Sequence, residues 1–465
     1  MKKASGIEKV GRNAWLIATV FLLIISVFKI GTTGFSNITL LQIILFGIFM
    51  YALGTSIDKK GALWEGTLFL YSFFLFLLSR IFLDFIGIKS MYNSDRFAWY
   101  TITPQTTEII LISYIIFLLV YIVLLKFVKK DIFSFDGRHL FKFNNLPLLE
   151  QNCETILFVV LPIAIIYAIY IALTQNYLSI YSVTSDGISI IEAIGYIAKF
   201  IIPIYFLTLP QRKNKKWIYL LILLYYLGEA LQGARNTIVL FCVFILWYFA
   251  ARGKVIKTRT IIIGGSILVF LCLLIMYMRD GAAYFMSGDS ILVKILYSAG
   301  GTHMVFANYI DYRSSIPNDI CYYFLAGVLH PILRYLINPS IYTSGRNLAM
   351  ASYSVNLDHK LMYTLAPQSF ADGRGFGSNC ITEFWAFGGY FGVILIGALF
   401  LILFYYVEKK SYKNRIFFLL QFYMIQSAIW APRSTPLPNF VFVVITIIFY
   451  FIISAISYKG KVFIK

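Results

Sequence analysis

Apolar runs of about 17–25 residues, separated by short charged loops, recur along almost the whole chain. A bilayer's hydrocarbon core is about 30 Å thick, and roughly 20 helical residues cross it. The pattern predicts twelve spans: 13–30, 38–54, 63–87, 107–125, 155–173, 189–209, 217–233, 236–251, 261–278, 384–406, 416–431 and 438–457. The expected fold is therefore an all-α, polytopic membrane protein. The first run follows "MKKASGIEKVGR" with no small-residue cleavage site, so it is expected to be a retained span. One stretch breaks the rhythm. Residues 279–383 are too many for a connector, yet they include "ILVKILYSAGGTHMVFANYI" (291–310) and "YYFLAGVLHPILRYLINP" (322–339), which are amphipathic. These are expected to be helices lying along the outer membrane boundary over a cavity. The chain thus divides into 1–278 with spans one to nine, 279–383 as a large helical extracytoplasmic loop, and 384–465 with spans ten to twelve.

Composition agrees with that pattern. Of 465 residues, 60% are hydrophobic and 13% charged, about half the charged fraction of a soluble domain. A formal charge of +19 raises the question of nucleic acid, but its distribution argues against such a partner. Taking alternate loops, 26 of the 40 Lys and Arg residues fall in seven segments on one side, including both termini. Positive charge on one set of short loops writes orientation in a bilayer. The expected partner is the lipid bilayer, with both termini cytoplasmic.

The two sides use different cations. The cytoplasmic side has 20 Lys and 6 Arg, whereas the other side has 9 Arg and 4 Lys, with Lys199 inside a span. Orientation needs only positive charge. Arg adds a planar, permanently charged fork that grips phosphate with two hydrogen bonds. An outer face rich in Arg therefore suggests an anion site. Structural pairing with Asp84, Asp280, Asp311 and Glu383 is the alternative reading, and Arg80 with Asp84 has the i, i+4 spacing of such a pair.

Three arginines are expected at one depth on the outer edge. Arg235, in "GEALQGARN", sits at a turn where a helix begins, and free amide donors there favour anions; a local pair with Glu229 is the alternative. Arg279, in "YMRDGAAY", leaves the ninth span. Arg433, in "APRSTPLP", precedes the last. In "GFGSNCITEFWAFGGYFG" (375–392), Glu383 lies at the membrane edge, and Gly388, Gly389 and Gly392 are expected to permit close helix packing. No Asp-x-Asp, His-x-x-x-His or Cys/His cluster marks a metal site, and no cofactor is implied.

That last motif resembles the Gly-x-Gly…Glu…Phe-Gly-x-x-Gly signature of the Wzy-type polymerases of O-antigen and capsule repeat units. "QGARNTIVLFCVFILWY" is similar to their small-Gly-x-Arg turn, and "HPILRYLINPS" (330–340) to their Pro…Arg…Pro stretch in the outer loop. Here the proline is displaced, as Pro331 with Arg334. The resemblance covers roughly residues 155–457. It implies a GT-C-like, metal-independent glycosyltransferase of the bacterial cytoplasmic membrane. Such an enzyme joins undecaprenyl-diphosphate-linked repeats on the outer leaflet, with a chain-length-regulating co-polymerase as protein partner. Matching the motifs, Arg235 would bind the diphosphate; Arg279 and Arg433 are added by position. Preplaced cations would stabilise the charge growing on the leaving group. Glu383 or His303 would serve as the acceptor's base, and Arg346 and Arg374 would bind sugar or the second diphosphate. His330 and His359 are expected to be structural. A lipid-linked oligosaccharide flippase is the main rival, but no half-to-half repeat is visible and the charges sit at one edge. A glycan ligase of the same fold shares the donor chemistry.

Overall fold

In the computed structural model every regular element among the described residues is helical. The structure describes residues 36–92, 100–127, 140–174, 190–231, 235–254, 259, 263–266, 269–270, 273, 290–337, 340–341 and 346–463. In chain order the helices are α1 (Asn37–Lys60), α2 (Glu65–Phe85), α3 (Pro104–Phe127), α4 (Pro147–Thr174), α5 (Ile190–Leu207), α6 (Lys215–Leu231) and α7 (Arg235–Ala251). The long segment over 279–383 contributes α8 (Ile291–Ala299), α9 (His303–Tyr312), α10 (Ala326–Ile332), α11 (Leu348–Tyr353), α12 (Leu357–Leu365) and α13 (Pro367–Ala371). The last three are α14 (Cys380–Ser411), α15 (Arg415–Trp430) and α16 (Phe440–Phe463).

Among the described residues, helices occupy ten of the twelve expected spans. The span over 13–30, and most of that over 261–278, lie outside the described residues. Among the described residues, six helices are long and apolar enough to cross a bilayer: α1, α2, α3, α4, α14 and residues 440–457 of α16. The others are shorter. At 1.5 Å per residue, the 17 residues of α6 reach about 25 Å, less than a full hydrocarbon core.

The helix boundaries follow local chemistry. The Ser36 hydroxyl accepts the Thr39 amide at the start of α1, and Lys59 and Lys60 sit by its carbonyl end. Asn414 caps α15 by accepting from the amides of Ile416 and Phe417. In α2, a π-helical turn over Phe74–Leu78 widens the coil just before Ser79 and Arg80. Gly300 fits against that turn, where a Cβ would strike Ser79 and the Arg80 backbone. This explains why 291–310 is not one amphipathic helix: it breaks at Gly300–Thr302 into α8 and α9. Arg80 is 1% exposed, donates from Nε to the Tyr297 carbonyl and lies 3.7 Å above that ring. Asp84 accepts from Gln42 Nε2 at 2.9 Å.

Hydrogen bonds gather the loops into two poles. At one, Leu140 and Lys142 donate backbone amides to Ala251 and Tyr412, and Lys59 Nζ donates to Leu125. There too Glu150 accepts the amides of Gln211 and Arg212, and Trp64 Nε1 donates to Glu408. Each of these groups borders a Lys-rich loop. At the other pole Tyr100 and Thr106 donate to Asp311, and Asn379 donates to Thr302. The described residues of 290–371 fold onto this second pole. Its own small core, Val305, Tyr309, Tyr323, Leu357 and Leu361, packs beneath Ala386 of α14.

Candidate active site

Asn379 starts α14. Its side-chain oxygen accepts both the Thr382 amide and hydroxyl, fixing the helix entry so that Glu383 falls in the first turn. Two turns later the helix breaks at Gly388 and Gly389, the latter at φ 61°, ψ −137°, a conformation open mainly to glycine. Beyond packing, then, these glycines cut off a short leading helix that carries Glu383.

Before it, "GRGFGSN" (373–379) wraps around a carboxylate that the sequence reading missed. Gly373 and Gly377 have φ of 85° and 80°. The Gly377 amide donates to Asp358 Oδ1 at 2.7 Å, and a Cβ on Gly375 would lie 2.7 Å from Oδ2. Glycine is required here because backbone closes directly on Asp358.

Glu383 and Asp358 face one cavity of about 250 Å³. Its walls come from α10 (Ala326, Gly327, His330, Pro331), the start of α12 (Asn356, Leu357), the glycine loop (Gly377, Ser378) and the loop after α15 (Ser434, Thr435, Leu437, Asn439). Gly327 lets α10 approach that last loop, since a Cβ there would collide with the Leu437 carbonyl. Glu383 is 1% exposed. Its Oε1 accepts from Ser378 Oγ at 2.7 Å. The Thr435 hydroxyl lies beside the carboxylate, yet neither Oε2 nor Thr435 Oγ1 completes a hydrogen bond within the protein. A buried carboxylate oxygen without a donor costs free energy unless a ligand or water supplies one.

A cationic group stands behind the cavity. The His330 and His359 rings are 5.4 Å apart, and Ser354 Oγ is 2.8 Å from His359 Nδ1. Burial pushes both imidazoles down to about 3; His330 is lowered further by His359 and Arg334, and His359 by Arg346 and Arg334. Both rings are therefore neutral at ordinary pH. Arg346 donates from Nη1 to the Arg374 carbonyl at 3.1 Å and lies over the Phe370 ring. Arg374 itself is exposed.

The expected site residues fall into four groups. Glu383 lines the cavity, and Arg433 directly precedes its wall residues Ser434 and Thr435. The Arg433 guanidinium is 5.5 Å from the Phe76 ring and 5.6 Å from the Trp430 ring. Arg346 and Arg374 meet each other beside the histidines. His303 does not line the cavity. It is 1% exposed, with Nδ1 2.8 Å from the Gly300 carbonyl and Nε2 3.1 Å from that of Met91. Arg235 opens α7, as the helix-start reading expected, but its side chain and all of Arg279 lie outside the described residues. Glu229, the alternative partner of Arg235, pairs with Lys199 at 2.9 Å. Asp358, Thr435 and Asn439 were missed because single polar residues in loops carry no periodic signal; "RSTPLPN" was the one hint, a hydroxyl- and amide-bearing loop next to Arg433.

The chain matches the family of O-antigen polysaccharide polymerase Wzy over residues 12–462, and it belongs to that family. It is thus a multi-pass membrane enzyme of glycosyltransferase type that polymerises lipid-linked repeat units. No curated protein and no solved structure matches the chain.

Proposed function

We propose, with membership in the O-antigen polymerase family as the premise, that the cavity at Glu383 is where one repeat is joined to the next. The observation that supports this reading most is the buried Glu383 carboxylate. One oxygen is held by Ser378 and the other is open to a cavity of hydroxyl and amide groups. The acceptor is the terminal sugar of an undecaprenyl-diphosphate-linked repeat on the outer leaflet. Its hydroxyl oxygen attacks the anomeric carbon of the growing chain. Glu383 takes the hydroxyl proton, the new C–O glycosidic bond forms, and the bond from anomeric carbon to diphosphate oxygen breaks. Undecaprenyl diphosphate leaves with the electron pair.

That leaving group needs cations placed beforehand, because charge appears on it in the transition state. Arg334 and Arg346, whose charges act on His330 and His359, are one described group, and Arg433 stands beside the wall residues Ser434 and Thr435. Arg235 and Arg279 join them in this proposal by motif and by position, and Arg374 stays with Arg346 as a substrate-side residue. His303 has no part in the step, since both ring nitrogens face backbone carbonyls. The two poles support an arrangement with the Lys-rich loops and both termini cytoplasmic, residues 279–383 outside, and twelve spans in a GT-C-like bundle. The test is lipid-glycan analysis of a deletion strain complemented with wild type or Arg235→Ala. The expected result is long polymer with wild type, and single lipid-linked repeats exposed on the outer face with the variant. Normal polymer length in the variant would remove Arg235 from the mechanism, and repeats trapped inside the deletion strain would point to a flippase.

A further inference from the structure

At the Lys-rich pole, opposite the Glu383 cavity, a second space opens between α3 and α14. The two helices meet at Gly397, where a Cβ would come within 3.1 Å of the Phe117 ring. One turn further along α14 they enclose a slot of about 130 Å³, with Tyr121, Leu124 and Leu125 on one wall and Leu401, Phe404 and Tyr405 on the other. The Trp64 ring folds over Gly66, where a Cβ would overlap it, and completes the lining. The surface presented is almost wholly apolar, because the polar groups turn inward. Trp64 Nε1 donates to both oxygens of Glu408, and the Tyr121 hydroxyl lies 3.3 Å from Ser56 Oγ. The slot opens toward the bilayer: Phe127 and Ile402, both in its lining, are 78% and 51% exposed.

We propose that this slot takes one acyl chain of an anionic phospholipid, whose phosphate rests on Lys59 and Lys126. Lys59 Nζ donates to the carbonyl of Leu125, a slot residue, at 2.8 Å. That bond uses one of its three N–H donors. Lys126 follows Leu125 and is exposed. The carboxylates of Glu65 and Glu408 interact with Lys60 instead. Residues 58–60 and 126–131 together carry five lysines and two aspartates, so the sequence around both helix ends is net positive. An apolar slot that ends at ammonium groups matches a molecule with a hydrocarbon tail and an anionic head. Within a bilayer the tail gains little from apolar burial itself, since neighbouring lipid is equally apolar. Affinity comes from filling a space that otherwise lacks contacts, and from the charge of the headgroup. A zwitterionic lipid offers the same chain but brings its own cation to the lysines. The bound chain fills the gap where α3 and α14 separate, bracing the helix whose opposite end carries Glu383.

The experiment uses the full-length protein purified in detergent, with dioleoylphosphatidylglycerol and dioleoylphosphatidylcholine added in equal amounts. Native mass spectrometry reads the lipid retained per chain. Wild type is expected to keep one phosphatidylglycerol, favoured over phosphatidylcholine by roughly tenfold. The double variant Lys59→Gln/Lys126→Gln should bring the two lipids close to parity. Ile402→Trp, which puts an indole into the slot from its exposed rim, should remove the retained lipid of either kind. Added phosphatidylglycerol should raise the melting temperature of wild type more than that of either variant, as a ligand of the folded state does. Glycerophosphoglycerol, the same headgroup without chains, should not raise it. Stabilisation by that headgroup alone would make this a simple phosphate site and overturn the proposal. So would no retained lipid in wild type, equal retention of both lipids, or a preference unchanged by the lysine substitutions. The lysine variant alters surface groups only, so it decides the matter even if Ile402→Trp does not fold. A dimer in place of the lipid adduct, lost in Ile402→Trp, would give this face to a second copy of the chain and end the lipid assignment.

Discussion

Lys199 Nζ lies 2.9 Å from Glu229 Oε2, joining α5 to α6 within apolar surroundings. Tyr225 adds a hydroxyl donor to the same carboxylate at 3.3 Å. Ionisable groups at membrane depth are costly and persist when they pair. Removing one partner leaves the other charge without compensation, so Lys199→Met should lower the melting temperature of the purified protein. Both side chains are partly exposed, at 27% and 17%. The loss should therefore fall short of the roughly 3–5 kcal/mol seen for fully buried pairs. The double variant Lys199→Met/Glu229→Gln should recover most of it. A double variant no more stable than the single one would show that the pair is not what holds these helices.

Glu383→Gln preserves the shape of the side chain and its ability to accept from Ser378, while removing the basic oxygen. If Glu383 takes the acceptor's proton, polymer formation should fall by about 10²–10⁴, the usual range for a general base. Melting temperature should stay near wild type. Ser378→Ala should cost less, since Ser378 orients the carboxylate without receiving a proton. Radiolabelled repeat incorporation into long chains measures both. A Gln variant with wild-type turnover would end the assignment of Glu383.

Gly327→Ala tests the packing that forms the cavity wall. The added methyl would collide with the Leu437 carbonyl, which is backbone and cannot rotate aside. Either α10 or the loop bearing Ser434 and Thr435 must move. Overpacking of this kind typically costs about 1–3 kcal/mol. Polymer yield should drop along with stability. Gly47→Ala is the control: its Cβ meets nothing within 4 Å, and alanine favours helix over glycine by up to about 1 kcal/mol. Gly47→Ala should therefore be neutral or mildly stabilising. Equal behaviour of the two variants would contradict the close approach of α10 to Leu437.

Much of this arrangement was legible in the sequence, and the reason is periodicity. Long apolar runs must become helices in lipid, because every backbone group needs a partner there. Hence ten of the expected spans coincide with helices among the described residues. Glu383 was found because it interrupts such a run beside a recognisable glycine pattern. Asp358, His330 and Thr435 come from three separate loops and helices, and only tertiary packing brings them to one cavity. The same holds for the cover of Arg80: Tyr297, 217 residues away, stacks on its guanidinium. Local spacing predicts helix-face neighbours well. It does not register a partner that tertiary packing brings in from far along the chain.

Acidification should destabilise the helices between α7 and α14 through their buried histidines. Burial, with the charge of Arg80 beside it, pushes His303 from 6.5 down to about 4, and burial likewise pushes His359 down to about 3. In the unfolded chain both would titrate near 6.5. Folding thus lowers their proton affinity, so unfolding takes up protons as pH falls below about 6.5. The stability they contribute is complete above that value and is lost progressively towards pH 4 and below. Each such histidine adds up to about 1.4 kcal/mol per pH unit to the slope within its window. Melting curves of wild type and His303→Gln between pH 7 and 4.5 isolate one contribution. Gln donates to one of the two carbonyls and does not titrate. Its melting temperature should therefore begin below wild type at pH 7 and fall less steeply with acid, so that the curves converge. Parallel curves would mean that His303 is already protonated in the fold, bridging the Gly300 and Met91 carbonyls as an imidazolium.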